Sequence, residues 1–352
     1  MCRGFETVFH PAAQGELPVT PTISPYTLAL LPCRYLLAAL LLSSSLTVTC
    51  LSQSQQSPPS SAVVSPTISV NSDLVALPVR VTDSNGNVVS GLTLQDFTVF
   101  EDGRPQKITL FQQEDAPVTV GLVVDHSRSM GPKLGGVIAA VSAFAHSSNP
   151  QDEMFVVDFN DDVWLQILGG KPFTHSADDL EKEINAVSAR GRTALYDAVA
   201  EGLNHLRFGH CEKKALIIVS DGGDNASHQK FSQILDLAQR SQVLIYSIVL
   251  EGDGQEENPG ALRHLSKSTG GISYLPSPSQ SIASISTFIA RDLRDQYTLG
   301  FAPEKPSGVA SFRKIQVKVS APGRGKLHVR YRPGYFAVDA SHSSPPSGKS
   351  AP

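Results

Sequence analysis

Two acids and three hydroxyls occupy positions that would suit a divalent cation. In "GLVVDHSRSMG", residues 121–131, an apolar run stops at Asp125, and Ser127 and Ser129 follow at every second position. Asp221 comes after the apolar run "ALIIVS" in "SDGGDN", and Thr193 opens a helical stretch in "ARGRTALYDA". Hard oxygen donors without His or Cys suit Mg²⁺, or Mn²⁺, which prefers oxygen coordination and keeps several waters. Two acids around such an ion leave a position that a carboxylate from a protein partner can fill. Each segment alone has an ordinary explanation, since Asp followed by Ser often caps a helix and Asp-Gly often turns the chain. Three such segments, two at the ends of apolar runs and one at the opening of a helix, point to one shared site. His126, Arg192 and Asp224 stand beside these donors and are expected on its partner-binding rim, His126 as an exposed loop residue.

The elements that would position these residues alternate. "VTVGLVV" reads as a buried parallel strand, and "GGVIAAVSAFAHS" has helical spacing with Val137, Val141 and Phe144 on one face. "EMFVVDF" and "VWLQIL" read as strands, "TALYDAVAEGLNHL" as a helix, and "KALIIVS" as a strand. "FSQILDLAQRS", "VLIYSIVL" and "PGALRHLSKSTGG" continue as helix, strand and helix, and "SIASISTFIARDLRDQY" closes the series. Such alternation predicts an α/β fold, a doubly wound and mostly parallel sheet covered by helices on both faces. Ligands of such sheets sit beyond the carboxyl ends of the strands, where Asp125 and Asp221 are placed.

Short β-strand modules flank this unit. "DLVALPVRVTDSNGNVVSGLTLQDFTVFEDGRPQKITLFQQ" alternates Val75, Leu77, Val79 and Val81 with their neighbours and carries the turn pair Asn85-Gly86. "YTLGFAP", "FRKIQVKVSA" and "KLHVRYR" supply three more strands, expected to join the first set in one sheet. The organisation predicted is an export signal or signal anchor over 1–51, a Ser/Gln/Pro-rich linker over 52–70 and a small β module over 71–116. The α/β domain over 117–296, C-terminal β strands over 297–338 and a disordered tail over 339–352 complete it.

Asp125-x-Ser127-x-Ser129, Thr193 within "RTALYDA" and Asp221 within "SDGGDN" resemble, in order and separation, the metal-ion-dependent adhesion site of the von Willebrand factor type A (VWFA) domain family. The likeness covers roughly residues 118–290. The flanks, "RVTDSNGNVVSGLTLQDFTVFEDGRPQKITLF" and "QYTLGFAPE", resemble bacterial VWFA-related proteins best known from acidobacteria. The resemblance implies that Ser127 and Ser129 are direct hydroxyl ligands and that Asp125 and Asp221 act largely through bound water. Thr193 would bind directly or through water. Family members more often carry glycine before the threonine; Arg192 stands there instead, able to repel the cation or to attract an acidic partner.

The chain has 352 residues, a formal charge of −4 and a pI near 6.2, with Lys and Arg scattered, so there is no electrostatic footprint for nucleic acid. The charge-free run "YLLAALLLSSSLTVTCL" between Arg34 and "SQSQQSPPSS" has the form of a secretory signal, displaced far from the first residue. It predicts an exported protein of the periplasm, cell envelope or extracellular space, with membrane anchoring through this segment if it is retained. Of four cysteines only Cys211 lies in the body, which allows no internal disulfide framework. Asp125, His126 and Ser127 are adjacent and cannot face one another as a catalytic triad must, and no G-x-S-x-G elbow occurs. The expected function is therefore a non-enzymatic, exported adhesion or interaction module. The alternatives are an envelope scaffold with a vestigial metal site, favoured by Arg192, and, further off, a metal-dependent hydrolase.

Overall fold

The computed structural model describes residues 74–337 apart from 114, 167–169, 251–257, 278–280 and 304–310, all within one compact unit. The expected export segment, linker and tail lie outside the described residues. No described helix is long and apolar enough to cross a membrane.

Four strands come first: β1 (Val75–Thr82), β2 (Phe97–Glu101), β3 (Arg104–Gln106) and β4 (Ile108–Gln112). The α/β series follows as β5 (Val118–Asp125), α1 (Leu134–Ser147), β6 (Glu153–Phe159), β7 (Val163–Leu165), α2 (Ala177–Ala186) and α3 (Leu195–His205). It continues with β8 (Lys213–Ser220), α4 (Phe231–Arg240), β9 (Leu244–Val249), α5 (Pro259–Thr269), β10 (Ser273–Tyr274) and α6 (Ile282–Arg294). Four more strands end the fold: β11 (Tyr297–Phe301), β12 (Phe312–Val319), β13 (His328–Arg330) and β14 (Gly334–Phe336).

The α/β sheet has the order β10-β9-β8-β5-β6-β7, parallel except for the edge strand β7. Every residue of β5 is buried, which is why it reads as a continuous apolar run and not an alternating one. Its Val118, Val120, Leu122 and Val124 join a core with residues of α1, α2 and α6. Val123, on the opposite face, packs with Leu195 and Val199 of α3, Ile234 of α4 and Leu262 of α5. Three helices per face make the fold doubly wound, as the sequence predicts. One of them, α2, falls where the sequence reading placed no element. Its signals are local: Ser176 caps it by accepting from Asp179 N at 3.2 Å, and Leu180 and Ile184 are its buried pair one turn apart.

The flanking strands form two four-stranded sheets, β13-β1-β11-β4 and β14-β12-β2-β3, and not the single sheet expected. Each sheet takes strands from both ends of the domain: β1 runs antiparallel to β11 with Val75 opposite Phe301, and β2 runs antiparallel to β12 with Val99 opposite Val317. Their inner faces share one core, including Leu77, Val79, Phe97, Tyr297, Leu299 and Val317. One sheet would leave these apolar faces in water; two packed face to face cover them.

Polar side chains join this sandwich to the α/β domain. Asp292 of α6, 1% exposed, accepts from Tyr246 Oη at 2.6 Å and from Arg330 of β13. Arg80 Nε of β1 lies 3.1 Å from the other Asp292 oxygen, but its N–H is not aligned on it, so this contact is an ion pair without a hydrogen bond.

Candidate metal centre

The carboxyl ends of β5 and β8 are neighbours in the sheet, and strand order reverses between them, with β6 on one side of β5 and β8 on the other. The loop leaving β5 leads to α1 on one face, and the loop leaving β8 leads to α4 on the other. Loops that part in this way open a crevice.

Asp125 is the last residue of β5 and is fully buried. Its Oδ1 accepts from Ser127 N at 2.8 Å, and its Oδ2 accepts from Ser220 Oγ, the last residue of β8, at 2.6 Å. Ser127 Oγ lies 3.1 Å from Ser129 Oγ, which donates to Asp221 Oδ2 at 2.6 Å. Hydroxyls therefore join the two acid-bearing strands twice. The loop after Asp221 turns at Gly222, where φ is +85° and a Cβ would lie 2.8 Å from Asn258 O, so only glycine fits. Asp221 Oδ1 accepts from Gly223 N at 3.1 Å.

Thr193 reaches this place through main-chain bonds. Arg190 N donates to His126 O at 2.8 Å and Arg128 N to Gly191 O at 3.3 Å, fixing the Thr193 loop on the β5 loop. Thr193 N donates to Asn225 Oδ1 at 2.8 Å, and Thr193 O accepts from Asn225 N at 2.9 Å, fixing it on the β8 loop. All five predicted donors thus lie in three loops laced together at one sheet edge.

Burial pushes the Asp125 carboxyl up to about 6; the charge of Asp221 acts in the same direction, and hydrogen bonds from Ser127 and Ser220 oppose it. Two carboxylates that repel each other, separated by serine hydroxyls, form a donor set of hard oxygens only. That set fits Mg²⁺ or Mn²⁺, which Asp125, Ser127, Ser129, Thr193 and Asp221 would hold.

A cation that sequence reasoning missed already stands at the edge. Lys133 Nζ donates to Leu250 O at 2.7 Å and lies 4.0 Å from Asp221 Oδ2. Its signal is its place four residues beyond Ser129, at the end of the short 3₁₀ turn Arg128–Lys133. Replacing Lys133 with methionine removes a charge that competes with the ion, and Mg²⁺ affinity measured by calorimetry should rise by about fivefold, equivalent to roughly 1 kcal/mol for a partly exposed pair. An unchanged affinity would mean that the ammonium is not felt at the ion's position.

Two of the three rim residues differ from expectation. His126 is 0% exposed, and its Nε2 is 2.8 Å from Oδ1 of the equally buried Asp158 on β6. It points into the domain because its neighbour strand carries an acid that needs a partner; Gln166 Nε2 fills the other Asp158 oxygen at 2.8 Å. Asp224 turns to the start of α3, where its Oδ1 accepts from Tyr196 N at 3.2 Å and Ser227 Oγ at 2.5 Å. It is a helix cap rather than a rim group, and burial raises its carboxyl above the usual range. Arg192 does stand on the surface, but paired: its Nε is 3.0 Å from Asp161 Oδ1, and its main-chain N–H donates to Asp161 Oδ2 at 3.0 Å. These bonds hold the Asp161 carboxyl below its usual range.

Residues 120–223 match the family model of the von Willebrand factor type A domain. No curated protein matches the chain significantly. Among solved structures, the chain is similar to a von Willebrand factor type A protein from Catenulispora acidiphila at 13% identity, with 70% of this chain and 74% of that one covered and a TM-score of 0.46. An aerotolerance-related membrane protein from Bacteroides fragilis aligns at 14% identity over 50% of this chain and 98% of its own, with a TM-score of 0.42. The von Willebrand factor domain of a type V pilus tip protein from Porphyromonas gingivalis aligns at 14% identity over 50% of this chain and 95% of its own, with a TM-score of 0.42.

Proposed function

We propose that this chain, which carries a von Willebrand factor type A domain over residues 120–223, is an exported, non-enzymatic binding module that engages an acidic group on a protein partner through a divalent cation. The observation that carries this reading is the bond from Ser129 Oγ to Asp221 Oδ2 at 2.6 Å, with Ser127 Oγ 3.1 Å from Ser129 Oγ. It gathers hydroxyls and acids from two strands around one position at the crevice. Mg²⁺ or Mn²⁺ held there would supply a Lewis-acidic position for a carboxylate. The chain's own residues orient that position: Ser220 and Ser127 N fix Asp125, Gly223 N fixes Asp221, and Asn225 fixes the Thr193 loop. The reading as a binder and not a hydrolase is supported by His126, the base nearest the site in sequence, which is sealed against Asp158 and cannot reach a substrate. The export reading rests on the N-terminal apolar segment of the sequence.

A second reading is favoured by Lys133. An ammonium 4.0 Å from Asp221 supplies positive charge of its own, as a scaffold protein with a vestigial site would need. Thermal melting separates the two readings, because an ion that binds only the folded chain raises stability by about 2.7 kcal/mol at a hundred times its dissociation constant. The metal-free chain should melt several degrees higher with Mg²⁺, and Asp221→Ala, compared with its own melting temperature in chelator, should show no shift. Capture of an envelope partner should then require the cation in wild type and fail in Asp221→Ala. Partner capture that persists in excess chelator, for wild type and variant alike, leaves the scaffold reading.

A further inference from the structure

A second set of metal-ligating side chains lies between two helices, apart from the Asp125–Asp221 crevice. His146 stands in the last turn of α1, and Asp178 and Glu181 stand at the start of α2. One ligand atom of each lies within 4.8 Å of the other two, and among the described residues no other group of three His, Cys, Asp or Glu side chains converges in this way. His146 Nε2 is already 3.4 Å from Glu181 Oε1. Two acids three residues apart share one helix face as a matter of geometry and would by themselves be a solvated face. The imidazole comes from another helix, and α1 and α2 share one core through Val141 and Ile184. Their convergence is therefore a product of tertiary packing.

We propose that His146, Asp178 and Glu181 form a second cation site, of transition-metal type, that takes Zn²⁺ in preference to Mg²⁺. One imidazole nitrogen and two carboxylates are donors that suit zinc, whereas the all-oxygen set at Asp125 suits magnesium. Ligand atoms around a tetrahedral zinc lie about 3.3 Å apart, so the ion needs these atoms to close by an ångström or so. The side chains of His146 and Glu181 are 58% and 32% exposed, which leaves their torsions room to rotate toward an ion. Lys182, the nearest cation in sequence, faces Asp179 at 4.0 Å and leaves the three ligands clear. Three protein ligands leave at least one position for water. The ion ties the end of α1 to the start of α2, the helix from which the chain runs on to Thr193. This site is independent of the adhesion-site reading.

The test is a titration of the full chain with Zn²⁺ while saturating Mg²⁺ occupies any hard-oxygen site, followed by calorimetry. Wild type should bind one more equivalent of Zn²⁺ than His146→Ala, and Glu181→Gln should weaken that equivalent by at least tenfold. All three proteins should melt alike in chelator, because the side chains are on the surface. Cobalt in place of zinc should give visible d–d bands in wild type that His146→Ala loses, without the thiolate charge-transfer band that a cysteine ligand would produce. Equal Zn²⁺ binding by wild type and His146→Ala, no Zn²⁺ binding by wild type, or a thiolate band unaffected by the substitution would each overturn the proposal.

Discussion

Asp292→Ala should destabilise the protein by about 3–5 kcal/mol, because it removes the buried acid between buried Arg80 and part-buried Arg330. Arg80 is 4% exposed, and its other acid, Asp295, is half exposed with Oδ2 3.5 Å away. Arg330 keeps the neutral partners Gly270 O, at 2.6 Å, and Tyr246, over whose ring it lies, but no acid once Asp292 is gone. Guanidinium groups keep their charge in proteins, so a lost acid partner leaves unpaired charge behind. Denaturant unfolding followed by circular dichroism gives the number directly. Replacing Asp292, Arg80 and Arg330 together with apolar residues should recover most of the loss, because the penalty belongs to unpaired charge more than to the pair itself. A loss below about 1 kcal/mol for Asp292→Ala would mean that water reaches the cluster and that the sandwich and the α/β domain are held together by apolar packing.

The second large effect is a dependence on pH. The Asp125 carboxyl sits at about 6 in the folded protein against 3.8 when unperturbed, so between these values the folded chain holds a proton that the unfolded chain has released. Stability from this group is therefore fully present below about pH 4 and is lost as pH rises to about 6, a difference of about 3 kcal/mol. In chelator, wild type should lose stability relative to Asp125→Asn over that window, and the variant should be the more stable protein at pH 7. With Mg²⁺ the order should narrow or reverse at pH 7, since only wild type gains the ion. Subtracting the two melting curves at each pH removes the groups they share. A difference that is flat from pH 4 to 7 would show that Asp125 is solvated.

How much of this the sequence disclosed depends on whether the cause was local. The strand β5 is legible because a strand buried on both faces must be apolar throughout, and Asp125 and Asp221 stand out because each closes or follows such a run, whereas Thr193 opens a helix after a polar loop. The helix α2 gives only a weak periodic signal, being a charged decapeptide with two buried apolar residues, although Ser176, Leu180 and Ile184 carry its cap and its buried pair. The burial of His126 is not legible locally, because its partner, Asp158, lies on the adjacent strand and nothing in the local stretch points to it. An acid inside the apolar run "EMFVVDF" was the available clue, since a buried carboxylate needs a donor. The role of Asp224 is hidden for a similar reason, its acceptor position being fixed by where α3 begins. Alternation in the flanking strands showed which residues are buried but not that they face a second sheet.

The pairing of Val75 with Phe301 has a consequence for how the molecule is made. The leading strands emerge first and wait, with open edges, until the whole α/β domain has followed. At ordinary synthesis rates that delay is roughly ten to forty seconds. During it β1 offers a row of unpaired amides to any other nascent chain, including another copy of itself. The α/β domain, whose parallel pairings close without the flanks, is the part that can form in the meantime, and its completion brings the end of α6 round to deliver β11. Production yield should thus depend on holdase capacity more than the stability of the finished fold would suggest.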